Sequence, residues 1–221
     1  MDSVNEQLWT ALGTVLDPEL DRPITDLGFV ASASVDGAHA TVRLRLPTYF
    51  CAPNFAYLMV ADARDAVAAL SDVSTVDIEL VDHFAAAEIN AGVAGGTGFA
   101  GSFPGEATGE LEELRLTFRR KAYLASLDRL ASHLDTDPVG LTLGEVPESP
   151  ALSSFLHRRA ELGLPCTPDS PLLLDEHGAV IGAAEAPLRL RFARAVRVSI
   201  DGNAGLCRGL LHTRYPEVVS G

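Results

Sequence analysis

The stretch Thr41-Val42-Arg43-Leu44-Arg45-Leu46-Pro47-Thr48-Tyr49-Phe50-Cys51-Ala52-Pro53 decides the fold of the N-terminal half. Val42, Leu44 and Leu46 alternate with Thr41, Arg43 and Arg45, the period of a strand that buries one face and leaves the other in water. Pro47 cannot continue a sheet ladder, so the strand stops there. Pro53 suits the first turn of a helix, and Ala56, Val60, Ala63, Val67 and Leu70 then form an apolar stripe with Asp62 and Asp65 off it. The reading is strand, short loop, helix, with Cys51 in the loop.

Working backward, Asp36-Gly37 is a hairpin signal, and it joins this strand to one running through Val35. Before that lies the acidic, turn-rich connection Asp17-Pro18-Glu19-Leu20-Asp21-Arg22-Pro23, followed by Asp26-Leu27-Gly28. Val4, Leu8, Leu12 and Val15 recur at helical spacing ahead of Pro18. Working forward, Val76, Ile78 and Leu80 alternate with Asp77 and Glu79 as a third strand. The order α-β-β-α-β predicts an α+β two-layer domain over residues 1–84.

Residues 85–138 read as a connector. Seven glycines between Gly92 and Gly109 suit a loop, and Phe99 and Phe103 would be its apolar contacts to a partner. A long helix with Leu111, Leu114, Phe118, Leu127, Leu130 and Leu134 on its apolar side follows. Residues 139–221 are expected to form a second small α+β part. It would have a short helix near Ala151 to Leu162, a hairpin around Asp175-Glu176-His177-Gly178, and strands through Leu188, Leu190, Phe192 and Val196, Val198, Ile200 with arginines on the opposite face.

Of the 221 residues, 47% are apolar and 21% charged, the balance of a globular chain. A net charge of −13 disfavours nucleic acid and anionic membranes as partners and favours a basic protein surface. Residues 1–149 carry 9 Lys and Arg against 23 Asp and Glu, whereas residues 150–221 carry 8 against 7. Three cysteines without a C-x-x-C pair indicate neither a disulfide framework nor a zinc ribbon, which fits a reducing cytoplasm. No run of about 18 apolar residues predicts a membrane span.

Cys51 is the candidate reactive residue, because backbone amides and the dipole at a helix start favour a thiolate. Asp17, Glu19 and Asp26 precede the first strand and are candidate hard ligands beside it, though Asp and Pro are also ordinary turn residues. A lone His83 is more commonly structural than a metal ligand. Gly96-Thr97-Gly98-Phe99-Ala100-Gly101 satisfies G-x-G-x-x-G, but a helical segment precedes it rather than a strand, so no dinucleotide site is expected. Cys166 and Cys207 lack ligand spacing and read as core residues.

Asp17-Pro18-Glu19, Asp26-Leu27-Gly28-Phe29-Val30, the hairpin, and Pro47-Thr48-Tyr49-Phe50-Cys51 ahead of a helix resemble, in that order, the SufT/PaaD-type iron–sulfur assembly domain over residues 1–84. The Pro-Thr-Tyr approach is closest to the branch serving phenylacetyl-CoA oxygenase, a di-iron system. The family has Gly-Cys-Pro where this chain has Phe50-Cys51-Ala52-Pro53, and that branch's cysteine-rich tail is replaced here by a tail holding Cys166 and Cys207. The richness in arginine and alanine suggests a bacterial chain, and the resemblance implies an accessory or maturation factor, not itself an enzyme, that inserts iron or iron–sulfur units into a client such as a di-iron monooxygenase through Cys51. One thiol falls short of the four that a cluster commonly takes, so iron is expected only transiently, with Asp17, Glu19 and Asp26, a homodimer partner, a small thiol or the client completing the ligands. The alternatives are a cysteine-nucleophile enzyme using Cys51 with His83 or His39, and a structural adaptor for an oxygenase complex.

Overall fold

The computed structural model describes residues 2–103 and 108–216, with backbone only for residues 2, 3 and 108–110. The chain divides into two compact units, one of Met1–Glu112 with Asn203–Gly221 and the other of Glu113–Gly202. Both are mixed or helical, and the chain as a whole is α+β. Their boundaries differ from those that composition indicates at 84 and 138, because the first unit recruits the chain's last segment.

In the first unit, α1 (Asp2–Leu12) leads to a small hairpin of two two-residue strands, β1 (Leu16–Asp17) and β2 (Arg22–Pro23). Then β3 (Val30–Asp36) and β4 (His39–Arg45) pair antiparallel around Gly37, whose φ of 59° is the left-handed conformation the turn needs. The helix α2 (Pro53–Ala68) carries the chain back across so that β5 (Thr75–Val81) lies parallel to β4, giving the order β3-β4-β5. A parallel neighbour requires such a crossover, and the crossover helix covers the face it crosses.

The alternation read at residues 41–46 is realised. Ala40, Val42, Leu44 and Leu46 are buried, and the opposite face of β4 is lined by Arg43, paired with Glu79 on β5 at 3.0 Å. The buried side meets Leu8 and Leu12 of α1 and Ala56, Val60, Ala63 and Val67 of α2 in one core. Asn5 tethers α1 to the sheet edge, its Oδ1 accepting the Val35 N–H at 3.0 Å.

The glycine-rich segment departs from the expected loop. It forms α3 (Ala86–Ala94) and the short α4 (Gly98–Ser102), and Phe99, only 6% exposed, packs edge-on to Tyr57 with ring centroids 5.3 Å apart. Phe103 packs against the same core. Glycine here permits close packing rather than mobility. A Cβ at Gly92 would lie 1.6 Å from the Ser102 Oγ, so α3 and α4 touch where Gly92 has no side chain. Phe99 and Phe103 are therefore core residues, not contacts held out for a partner.

The second unit has a core of Tyr123, Leu127 and Leu130 from α5 (Thr108–Ala131), Phe155 from α6 (Pro150–Glu161), and Leu172, Leu173, Ile181 and Ala193. Fully buried Arg159 donates from Nη1 to the Pro171 and Leu172 carbonyls, and the Tyr123 hydroxyl donates to the Leu174 carbonyl at 2.8 Å, which satisfies irregular backbone that has no ladder. The expected hairpin is reduced to a Leu174–Val180 bridge closed by Asp175.

The strands expected between Leu188 and Ile200 are not formed. That stretch lies in one 29-residue helix, α7 (Ala186–Arg214). Its buried positions are Ala186, Ala193, Ile200, Ala204 and Leu211, a helical recurrence, while Leu188, Phe192 and Val198 are exposed. The arginines do not form a sheet face either: Arg189 pairs with Glu176, and Arg197 with Asp128 and, one turn on, Asp201.

Candidate functional site

Cys51 sits where the sequence places it, in the loop between β4 and the proline-started first turn of α2. It is half-buried, and its Sγ lies 3.3 Å from the Thr48 Oγ1. Two elements hold the loop. His83, buried just after β5, accepts the Ala85 N–H at Nδ1 (3.2 Å), which leaves the proton on Nε2 to be donated to the Cys51 carbonyl at 2.7 Å. Burial keeps this imidazole below the usual histidine range, and nearby Arg214 adds to that effect against the opposing hydrogen bond. His83 is thus a structural clamp on the loop's backbone. It is not poised as a base on the sulfur, which a Cys–His nucleophile would require. His39, at the far end of β4, hydrogen-bonds Thr75 instead.

The second element is the end of α7. Arg214 donates to the Leu46 carbonyl at 3.2 Å and to the Asp82 carbonyl at 2.6 Å, and the Tyr215 hydroxyl donates to Asp82 Oδ2 at 3.0 Å. Asp82 takes φ 53°, a left-handed turn that an aspartate tolerates and that these contacts hold. Cys207, on the same helix, is half-buried and packs against the core of the first unit. Its thiol is pushed up to about 11 by burial and by the neighbouring Asp17, Cys51 and Glu19. Cys166 is exposed.

Of the candidate carboxylates, Asp17 is buried and works as a turn-former, its Oδ1 accepting the N–H of Glu19 at 2.9 Å and of Leu20 at 2.8 Å. Burial raises its pKa to about 6. Glu19 is half-buried beside it, and Asp26 is exposed with Thr25 as its hydrogen-bond neighbour. Among the described residues no group of three or more His, Cys, Asp or Glu side chains is arranged to hold a metal ion, and no helix is long and apolar enough to cross a membrane.

Around the thiol the surface is aromatic. Tyr49 and Phe84 are 47% exposed and Phe50 76%, with ring centroids 5.0 to 6.4 Å apart, and the Phe84 N–H is donated to the Tyr49 carbonyl.

Residues 5–79 match the family described as iron-sulfur cluster assembly protein. The assembly-family segment covers roughly a third of the chain and includes Cys51, Asp17, Glu19 and Asp26, but neither His83 nor Cys207. A crystal structure of a domain of unknown function, DUF59, from Bacillus anthracis is similar at 23% identity and a TM-score of 0.34, over 36% of this chain and 76% of that one. No curated protein matches the chain.

Sequence reading missed Phe84 and Cys207 as neighbours of the site. Phe84 carried a local signal, an aromatic directly after His83 at a strand end. Cys207 carried none, since 156 residues separate it from Cys51.

Proposed function

We propose that this chain is an assembly factor for iron-containing enzymes, in which Cys51 takes iron or an iron–sulfur unit as cargo and passes it to a client. One observation carries the reading: a half-exposed thiol in a loop clamped by His83, within the segment that matches the assembly family. An open, under-ligated thiol suits transfer, because a cargo held by few protein ligands leaves coordination positions for the receiving protein. The aromatic surface of Tyr49, Phe50 and Phe84 would seat the client beside the sulfur, and a reducing cytoplasm would keep the thiol competent. A di-iron monooxygenase is the first client to test.

The test is Cys51→Ala in cells that produce such an oxygenase. The client's iron content and activity should fall toward the level without the factor, while the variant itself stays folded by circular dichroism. Full iron loading with Cys51→Ala would overturn the proposal and favour an adaptor.

A further inference from the structure

The helix α7 is patterned to pack on two sides. Ala186, Ala193, Ile200, Ala204 and Leu211 form its buried side. Nearly opposite them around the helix, Leu188, Phe192, Ala195, Ser199, Gly202, Leu206 and Leu210 recur at steps of three and four, and all are exposed. No charged residue stands in this row, although the solvated face of a surface helix ordinarily carries charges. The paired arginines of α7 lie off it: Arg189 meets Glu176, Arg197 meets Asp128 and Asp201, and Arg214 is held on the Leu46 and Asp82 carbonyls. A row at this spacing is the seam of a coiled coil, which water leaves uncovered only at a cost.

Side-chain size identifies what covers the seam. The row reads alike from both ends: two bulky residues, a small one, Ser199, a small one, two bulky residues. When two α7 helices lie antiparallel and cross at Ser199, Leu188 faces Leu210, Phe192 faces Leu206 and Ala195 faces Gly202. A twofold axis at Ser199 then relates the copies, as an isologous contact requires. The small central residues let the backbones approach, and the bulky ends close the seam. At its rim, exposed Arg194 comes beside Asp201 of the other copy, an opposite charge. The area agrees. Leu188 is 67% exposed, Phe192 51%, Val198 beside the row 55%, Leu206 61% and Leu210 40%. These side chains leave on the order of 500 Å² of apolar surface on each chain, at the upper end of what a monomer exposes. Two copies together cover about 1,000 Å², the size a specific interface needs.

We propose that the outer face of α7 is a homodimer seam, closed by the α7 helix of a second copy running antiparallel about Ser199. The pairing is independent of the cargo that Cys51 carries, since a segment outside residues 5–79 makes it.

The test is sedimentation equilibrium of the reduced full-length chain from about 1 to about 100 μM, where wild type should have twice the chain mass. The double variant Phe192→Glu with Leu206→Glu sets carboxylates opposite each other across the seam and should weaken the dimer at least about a hundredfold, with its circular dichroism unchanged. A second measurement does not depend on that variant. Ser199→Cys, oxidised with diamide, should link to itself across the axis, and Ala195→Cys, which faces Gly202 instead, should not. Mass spectrometry of the linked peptides separates these bonds from any made by the native thiols. A monomer at every concentration, an unchanged dimer in the folded double variant, or equal self-linking at positions 195 and 199, the mark of a parallel pair, would each overturn the proposal. A monomeric wild type whose client loading fails in the double variant would also overturn it and assign the face to the client.

Discussion

Asp17 shows how one residue serves the fold at an electrostatic cost. Its Oδ1 caps two backbone N–H groups of the β1–β2 turn, a task that an amide oxygen performs equally well. The carboxylate is nevertheless buried, and its pKa stands at about 6 against an ordinary 3.8. A carboxyl whose pKa is raised by folding stabilises the fold below the unfolded value, and that contribution disappears as pH rises through the folded value. Asp17→Asn should therefore be more stable than wild type above about pH 6, by up to about 3 kcal/mol at 1.36 kcal/mol per unit, and the difference should vanish near pH 4. Urea midpoints read at the two pH values check this, and equal gains at both would refute it. His83 acts in the opposite sense: its lowered pKa makes its contribution complete above the ordinary value of 6.5 and reduces it on acidification.

At the scale of elements, pattern reading succeeded where one face is buried and failed where two periods coexist. The β4 alternation, the Asp36-Gly37 turn and the α2 stripe were legible because each depends on neighbouring residues. Residues 188–200 also alternate, yet Arg, Leu and Ala are strong helix formers and the stretch holds no Gly, Pro, Asn or Asp after Pro187, so the helix forms and leaves Leu188, Phe192 and Val198 exposed. The glycines at 92–101 were misleading for a related reason, since the sequence does not distinguish glycine that loosens a chain from glycine that lets α3 and α4 touch. Gly92→Ala should cost about 1–3 kcal/mol by overpacking against Ser102, and Ser102→Gly in the same chain should recover much of it. Trp9, the one tryptophan, reports on this unit by fluorescence during denaturation. A Gly92→Ala midpoint equal to wild type would contradict the packing.

At the scale of the whole molecule, the charge is carried by one unit. Residues 1–112 with 203–221 hold 6 Lys and Arg against 18 Asp and Glu, and residues 113–202 hold 11 against 12. The acidic unit is also closed by chain from the far end of the sequence, as Ala204 and Leu211 complete its core. Leu211→Ala should destabilise it by about 2–5 kcal/mol, seen as an earlier Trp9 transition in urea. An unshifted Trp9 transition would mean that the α7 segment does not support that core.

The sequence by itself determined the α-β-β-α-β order, the position of Cys51 before α2, and the acidity of the N-terminal part, because strand period, proline placement and charge are local properties of the chain. Tertiary structure alone decided that His83 clamps the Cys51 loop through its backbone, that Phe84 joins Tyr49 and Phe50 on the surface, and that Cys207 comes to the site. Those juxtapositions arise from packing between segments distant in sequence, where burial and backbone hydrogen bonding select the partner and no residue spacing records it.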